Sequence, residues 1–270
     1  EWELFWNAED VPKENPDVYA QTSGEQDRQW QALRFDTRSL VRLASNPYLL
    51  TVMMQLPVIP SNRAQLFAGF LKVLFDRERE ARERRHDSGR VPEPSAWEFA
   101  LVELAETLQR AQGTAEDDGA QTTLRQADWP KSLTPALLDF SIDASVLQKS
   151  GDALRFSHQL LQEYLASRLF LDASRGEKRT AAEFWPAANW WQRTGWEVVA
   201  EIAGEACAGD VAAQQRLIAW LSWANPDVAS EVWLRLGQCA LSPEALDAMA
   251  KQWLALMTDA AREPNPLARA

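Results

Sequence analysis

Residues 146–170 read VLQKSGDALRFSHQLLQEYLASRLF, and they combine two kinds of periodicity. Short alternating runs lie on either side of Ser150, Gly151 and Asp152, which are residues that favour tight turns. The pattern therefore predicts a small β-hairpin. From Ser157 onward the apolar residues recur at helical spacing, which predicts a helix from Ser157 to Ala173.

Helical patterns also precede this hairpin. A long amphipathic helix is predicted with Ser61 as its N-cap, and a second helix with a capping box formed by Ser95 and Glu98. The second helix is expected to end near Gly113, and a third covers about residues 135–144. Helices followed by a hairpin and another helix are typical of a winged-helix domain.

The end of the long helix carries the charge run DREREARERR. Its spacing places Glu78 with Arg82, and Glu80 with Arg84, at i,i+4, where opposite charges stabilise a helix by a few tenths of a kcal/mol. The pattern favours a solvated helix face over a binding patch. His86, at the expected end of this helix, has no companion that would give it a role.

Beyond Thr180 the whole sequence is helical in pattern. Breaks that would divide it into antiparallel helices, as in an α-solenoid, are predicted at Gly195, Gly204, Gly209, NPD (225–227) and SPE (242–244). Most of the 13 tryptophans lie in this half. We expect them to form an aromatic core and to offer an aromatic surface for a partner. The expected fold class is thus mostly α, with a small β-hairpin.

Composition limits the classes of partner. The 270 residues carry a formal net charge of −11, which argues against general attraction to nucleic acid or to an anionic membrane. No apolar run approaches the roughly 20 residues of a membrane span, so a cytoplasmic protein is expected. Cys207 and Cys239 fit buried thiols better than a disulfide. Because the sequence opens inside a helical pattern, we expect a piece of a longer protein.

Motifs of several enzyme classes are missing from the sequence. It contains no phosphate-binding loop, dinucleotide-binding fingerprint, nucleophile elbow, HExxH zinc motif or paired CxxC. The two histidines and two cysteines lack the spacing of a metal site. No catalytic and no metal-ligating residues are therefore expected in this chain.

Two residues remain as candidates for ligand binding. His158 falls at the first turn of its predicted helix, where the backbone N–H groups and the helix dipole favour an anion such as phosphate. Pro47, in ASNPYLL, presents a rigid apolar ring at a helix start that can stack on a flat base. The alternatives are a histidine bonded to a neighbouring carbonyl and a turn proline beneath Leu49 and Leu50.

Taken in order, several stretches resemble the regulatory module of NACHT-type signalling NTPases, the bacterial relatives of NOD-like receptors within the STAND class. The similar stretches are VRLASNPYLLTVMMQL, IPSNRAQLFAGFLKVLF, VLQKSGDALRFSHQLLQEYLASRLF and GWEVVAEIAGE. The similarity extends from about residue 2 to residue 205.

The resemblance implies three domains and two nucleotide contacts. Residues 1–90 would be the small helical domain, 91–174 a winged-helix domain, and 175–270 the start of a superhelical arm. In the family, the motif proline lies against the adenine, which corresponds to Pro47. The motif histidine reaches the β-phosphate of ADP in the resting state, which corresponds to His158. The ATPase core and its Mg²⁺-binding acids would lie upstream.

The implied function is regulation of a signalling NTPase, with ADP holding the resting state and ATP favouring an open form. Partners would be the upstream core, a protein or ligand trigger at the C-terminal arm, and further copies in an active homo-oligomer. Defence or stress signalling would be the setting. Two alternatives remain: a winged-helix regulator that binds nucleic acid, and a helical protein-interaction scaffold that needs no nucleotide.

Overall fold

The chain is described by a computed structural model. The described residues are 47–56, 60–87, 91–113, 123–176, 179–186, 190, 193–236 and 241–258. Cys239 lies outside these ranges.

The chain divides into two compact units, Glu1–Thr51 and Val52–Ala270. The division into residues 1–90, 91–174 and 175–270 stays a prediction.

Helices dominate the described residues. The α-helices are α1 (Pro47–Met54), α2 (Arg63–Arg84), α3 (Pro94–Gly113), α4 (Pro135–Asp143), α5 (Gln159–Arg175), α6 (Trp196–Ala206), α7 (Val211–Ser222), α8 (Pro226–Leu236) and α9 (Pro243–Thr258). Two short 3₁₀ helices cover Gln126–Asp128 and Ala181–Glu183. The mostly α prediction is confirmed. Among the described residues, no helix has the length and apolar character needed to cross a membrane.

A small antiparallel sheet precedes α5. Its strands are β1 (Leu124–Arg125), β2 (Leu147–Ser150) and β3 (Ala153–Phe156), in the order β1-β3-β2. The predicted hairpin is confirmed, and Gly151 takes the positive φ of 63° that its turn requires. Strand β1 was not predicted, because two residues are too few to show an alternating pattern.

The N-cap of α2 is Asn62, so the prediction of Ser61 is wrong by one residue. Asn62 has an extended backbone, and its side chain accepts the N–H of Gln65. The Ser61 hydroxyl instead donates to the side-chain oxygen of Gln65 at 2.9 Å. Both residue types are good caps, and the backbone conformation selects between them.

The charge run at the end of α2 is partly buried, which corrects the prediction of a solvated face. Arg82 donates to Glu78 at 2.8 Å and to Asp143 of α4 at 2.8 Å, and both Arg82 and Glu78 are buried. Burial alone would lower the pKa of Arg82, but these hydrogen bonds outweigh it and raise the pKa. The i,i+4 spacing was correct, but only the packing of α4 determines which pair is buried.

Helix α3 begins one residue before the predicted capping box. Pro94 is its first residue, so Ser95 is already helical and cannot be the N-cap. Proline suits this position because its fixed φ matches the helix and its missing N–H would have no partner there. The predicted end at Gly113 is confirmed.

Helices α6 to α9 follow the predicted breaks with one exception. Gly204 lies inside α6, so a break there is wrong. A Cβ atom added at Gly204 would lie 2.7 Å from Cγ1 of Val232, which shows that α8 packs closely against this glycine. The glycine therefore allows close helix packing instead of ending a helix. The remaining predicted breaks coincide with helix boundaries.

Phe170, near the end of α5, lies at the centre of an aromatic cluster. Its ring centroid is 4.7 Å from Phe184, 5.2 Å from Trp220, 5.4 Å from Trp196 and 5.7 Å from Trp185. Phe170 and Trp185 are completely buried. These rings join α5 to the helical region that follows, which confirms the prediction of an aromatic core there.

Replacing Phe170 with alanine would leave a cavity among these rings. We expect Phe170→Ala to lower the free energy of unfolding by about 3–5 kcal/mol. The control is Phe99→Ala on α3, where the side chain is 59% exposed and the change is expected to stay within about 0.5 kcal/mol. Urea denaturation measures both values, and equal losses in the two variants would contradict a central role for Phe170.

Candidate functional site

A cavity of about 240 Å³ lies where β3 passes into α5. Its lining residues are Gln148, Arg155, Phe156, Ser157, His158, Gln159 and Gln162. Most of these side chains carry hydrogen-bonding groups, so the cavity suits a polar ligand. His158, the candidate from the sequence, is among them.

His158 is the N-cap of α5. The sequence predicted it within the first helical turn, whereas it lies one residue before the helix. The helix begins at Gln159, and the predicted start at Ser157 is two residues too early. His158 has an extended backbone, with φ −146° and ψ 136°, and its Nδ1 accepts the N–H of Leu160 at 3.1 Å. Because Nδ1 is the acceptor, the proton of the neutral ring resides on Nε2.

Partial burial sets the charge of this imidazole. Desolvation lowers the pKa of His158, because the buried surroundings disfavour the charged ring. At pH 7 the ring is therefore neutral, and Nε2–H is a hydrogen-bond donor. The N-cap bond and this donor are compatible, since they use different nitrogen atoms.

Arg155 and Ser157 add polar groups to the cavity wall. Arg155 is exposed on β3, and its Nε donates to the side-chain oxygen of Gln148 at 3.0 Å. The buried hydroxyl oxygen of Ser157 has no hydrogen-bond partner among the described residues. Together with the start of α5, these groups offer a positive charge and donors to an anion.

Glu163 lies one turn beyond Gln159 and is only 5% exposed. Its Oε1 accepts from Nε2 of Gln159 at 2.9 Å, whereas Oε2 has no hydrogen-bond partner within the described ranges. Burial raises the pKa of Glu163 from its ordinary 4.5 to about 6, while the Gln159 hydrogen bond and the charge of Arg63 act in the opposite direction. The negative charge of Glu201 is a smaller cause of the same rise in the pKa of Glu163.

Arg63 joins the beginning of α2 to α6. Its Nε lies 2.8 Å from Oε1 of Glu205, and its Nη2 lies 3.1 Å from Oε2 of Glu201. Arg235 of α8 binds the other oxygen of Glu201 at 2.9 Å. Burial would lower the pKa of Arg63, but its hydrogen bonds to Glu205 and Glu201 raise it overall. Arg63 is therefore charged and holds two helices together.

Buried amides connect α5 with two other elements. Nε2 of Gln162 donates to Oε1 of Gln109 on α3 at 2.9 Å. Nε2 of Gln109 in turn donates to the carbonyl of Gly195 at 2.9 Å. Gly195 is the N-cap residue of α6. Sequence patterns assign no role to Gln162 and do not single out Gln109, because their contacts join residues 53 and 86 positions apart.

Pro47 is exposed and is the first residue of α1, as the sequence predicted. Its carbonyl accepts the hydroxyl of Thr51 at 2.8 Å. Pro47 belongs to the unit Glu1–Thr51 and His158 to the unit Val52–Ala270. A nucleotide contact shared by these two residues stays a prediction. The sequence also predicts Asn46 as the N-cap of this helix, and Asn46 lies outside the described residues.

The other candidates for chemistry lie apart from this cavity. Cys207 is buried, and burial raises the pKa of its thiol, which makes it a poor nucleophile. His86 is exposed and has a positive φ of 57°. Within the described residues, no cluster of three or more His, Cys, Asp or Glu side chains could hold a metal ion.

Comparison with known proteins gives no family for this chain. No family model matches its sequence, and no match is found among curated proteins. The similarity to NACHT-type NTPases therefore depends on the quoted motifs alone.

The raised pKa of Glu163 predicts a pH-dependent stability difference. The protonated carboxyl is favoured in the folded state, so its contribution is complete below about pH 4.5 and is lost as pH rises through about 6. We expect Glu163→Gln to gain about 2 kcal/mol relative to the wild type between these limits. Urea denaturation at several pH values measures this difference.

Glu80→Gln, at an exposed position of α2, controls for the general effect of removing one negative charge. A difference between Glu163→Gln and the wild type that stays constant with pH, or that matches the Glu80→Gln control, would contradict the prediction.

Proposed function

We propose that this chain is the regulatory part of a cytoplasmic NACHT-type STAND NTPase and that it helps to hold the ADP-bound resting state. The observation that supports this most is the arrangement of His158. Nδ1 accepts the N–H of Leu160, so the proton of the neutral ring lies on Nε2, and Nε2–H is a hydrogen-bond donor. The order of helices, small sheet and α5 is compatible with a winged-helix domain followed by a solenoid-like arm.

The groups around the cavity fit a phosphate. In the proposed resting state, His158 donates from Nε2 to a phosphate oxygen of ADP, the first turn of α5 adds its dipole, and Arg155 adds a positive charge. Mg²⁺ and the hydrolytic chemistry would be supplied by the upstream core. Pro47, whose ring is exposed, would contact the adenine from the preceding domain.

The size of the histidine contribution limits its role. A hydrogen bond to a charged phosphate contributes about 1.5–3 kcal/mol. Changing an equilibrium from 99:1 closed to 99:1 open takes about 5.5 kcal/mol of differential binding. His158 would therefore bias the switch, and domain packing together with a trigger at the C-terminal arm would supply the rest. Opening would then permit homo-oligomerisation in defence or stress signalling.

One observation favours the scaffold alternative. Trp223, at the end of α7, is 73% exposed, and Trp253 and Leu254 of α9 are also exposed. Such a surface suits a protein partner and would not need a nucleotide. It also suits the trigger-binding arm of the proposed switch. A nucleic-acid-binding role has less support, because the net charge is −11.

The test separates the two roles of His158. Asparagine is a good N-cap but is too short to replace the imidazole Nε2 donor. When the chain is produced with its proposed upstream core, we expect wild-type protein to retain stoichiometric ADP and His158→Asn to lose it while keeping the stability of α5. His158→Ala should lose ADP and also about 1 kcal/mol of stability. ADP released on denaturation is the measurement.

His86→Asn is the matched control, because it changes the other histidine at an exposed position with a positive φ that asparagine tolerates. It should retain ADP. Full ADP retention in His158→Asn, or no ADP in the wild type, would overturn the proposed function. Nucleotide-independent capture of a partner by the exposed tryptophan surface would then favour the scaffold.

A further inference from the structure

The amide pair between the cavity and α6 is fully enclosed. Gln162, which lines the cavity, is 2% exposed, and Gln109 is 1% exposed. Gln162 donates to Gln109, and Gln109 donates to the Gly195 carbonyl at the start of α6. Two consecutive hydrogen bonds therefore connect the cavity wall, through Gln109 of α3, to the N-cap residue of α6.

The approach of Gln109 to Gly195 depends on the glycine. A Cβ atom added at Gly195 would lie 3.2 Å from Nε2 of Gln109, and the backbone has a positive φ of 82°. The Gly195 N–H also donates to Oε2 of Glu197 at 2.9 Å. The beginning of α6 is thus held on one side by its own Glu197 and on the other by Gln109.

The two amides can be oriented in two ways, and only one of them keeps the hydrogen bond to Gly195. A glutamine amide donates only from its nitrogen and accepts only at its oxygen. Because Gln162 presents nitrogen to the oxygen of Gln109, the nitrogen of Gln109 points to Gly195. If Gln162 presented its oxygen instead, Gln109 would have to turn, and its own oxygen would face the Gly195 carbonyl. That second arrangement breaks the contact with α6.

We propose that Gln162 and Gln109 are positioning residues that relay occupancy of the His158 cavity to the start of α6 by the orientation of their amides. An anion in the cavity attracts donors, so it favours the arrangement in which the Gln162 nitrogen turns to the ligand. Gln109 then releases Gly195. That the anion is a nucleotide phosphate rests on the proposed function. The polarity of the two amides is independent of that function.

A structural change caused by the release of Gly195 would extend to the C-terminal helices through α6. Helix α6 packs against α2, α5 and α8. Its residues Glu201 and Glu205 hold Arg63 of α2, and Glu201 also holds Arg235 of α8. A change at the N-cap residue of α6 would therefore act on the helix that joins the cavity region to the proposed arm.

The test reverses the polarity at Gln162 without changing the size of the side chain. A carboxylate accepts but cannot donate, so Gln162→Glu should turn Gln109 away from Gly195. Hydrogen exchange of residues 193–206 in the 270-residue chain measures the result. We expect exchange about tenfold faster than in the wild type at about pH 8.5, the effect of one lost hydrogen bond.

A pH profile separates the relay from a merely structural role. Burial raises the pKa of a carboxyl, so we expect the introduced group to be protonated near pH 5. It can then donate again, and the ratio of variant to wild-type exchange should approach one. Gln148→Glu is the matched control, because it adds the same charge to the wall of the same cavity without contacting Gln109 in the wild-type structure. It should leave the exchange of residues 193–206 unchanged.

Gln162→Met provides a second variant in case the buried carboxyl prevents folding or stays protonated. Methionine neither fixes nor reverses the orientation of Gln109, so exchange in α6 should be faster than wild type at every pH. Gly195→Ala should act similarly, because its Cβ atom would lie 3.2 Å from Nε2 of Gln109 and would push this amide away by a few tenths of an ångström. Gly209→Ala is its control, because Gly209 has a similar φ of 89° and nothing within 4 Å of an added Cβ.

Two results would overturn the relay. One is a hydrogen-exchange rate of residues 193–206 in Gln162→Met that equals the wild-type rate. The other is a faster exchange rate in Gln162→Glu whose ratio to wild type does not change with pH. Because these measurements use no nucleotide, they can fail while wild-type protein retains ADP. Conversely, if the ADP test contradicted the proposed function, the amide polarity and its effect on α6 would still hold.

Discussion

Helix α5 is buried against α2, α3, α6 and α7, and this burial governs how its polar side chains are arranged. Residues 161–167 are all buried, including the polar residues Gln162, Glu163 and Ser167. A buried polar group without a partner is costly, so these side chains must find partners inside the protein. Gln162 finds one on α3, whereas Glu163 and Ser167 bond within α5. Burial of this helix thereby ties a polar cavity to neighbouring elements.

Electrostatics in the same region balance burial against pairing. Arg63 remains charged because Glu201 and Glu205 compensate for its desolvation. Glu163 has one amide donor and no ion pair in the described part of the chain, so its pKa rises to about 6. Arg63 and Glu163 differ in this respect because Arg63 has two carboxylate partners and Glu163 has a single amide donor. A buried charge is stable only where geometry provides enough of them.

His158 shows how one residue serves structure and a candidate site together. An N-cap satisfies a backbone N–H that would otherwise lack a partner, and serine, threonine, asparagine or aspartate usually supplies it. An imidazole in that position accepts the helix N–H at one nitrogen and carries a hydrogen-bond donor on the other. The unusual choice of cap is the local reason to connect α5 with ligand binding.

Local periodicity and turn residues were enough to predict the mostly helical class, the hairpin at residues 147–156, the end of α3 and most C-terminal breaks. They also placed His158 at a helix start. Packing in three dimensions was needed to show that Arg82 is buried by α4, that Gly204 allows α8 to approach, and that Gln109 links Gln162 to Gly195. These features depend on contacts between residues far apart in the chain, where spacing along the sequence carries no information about distance.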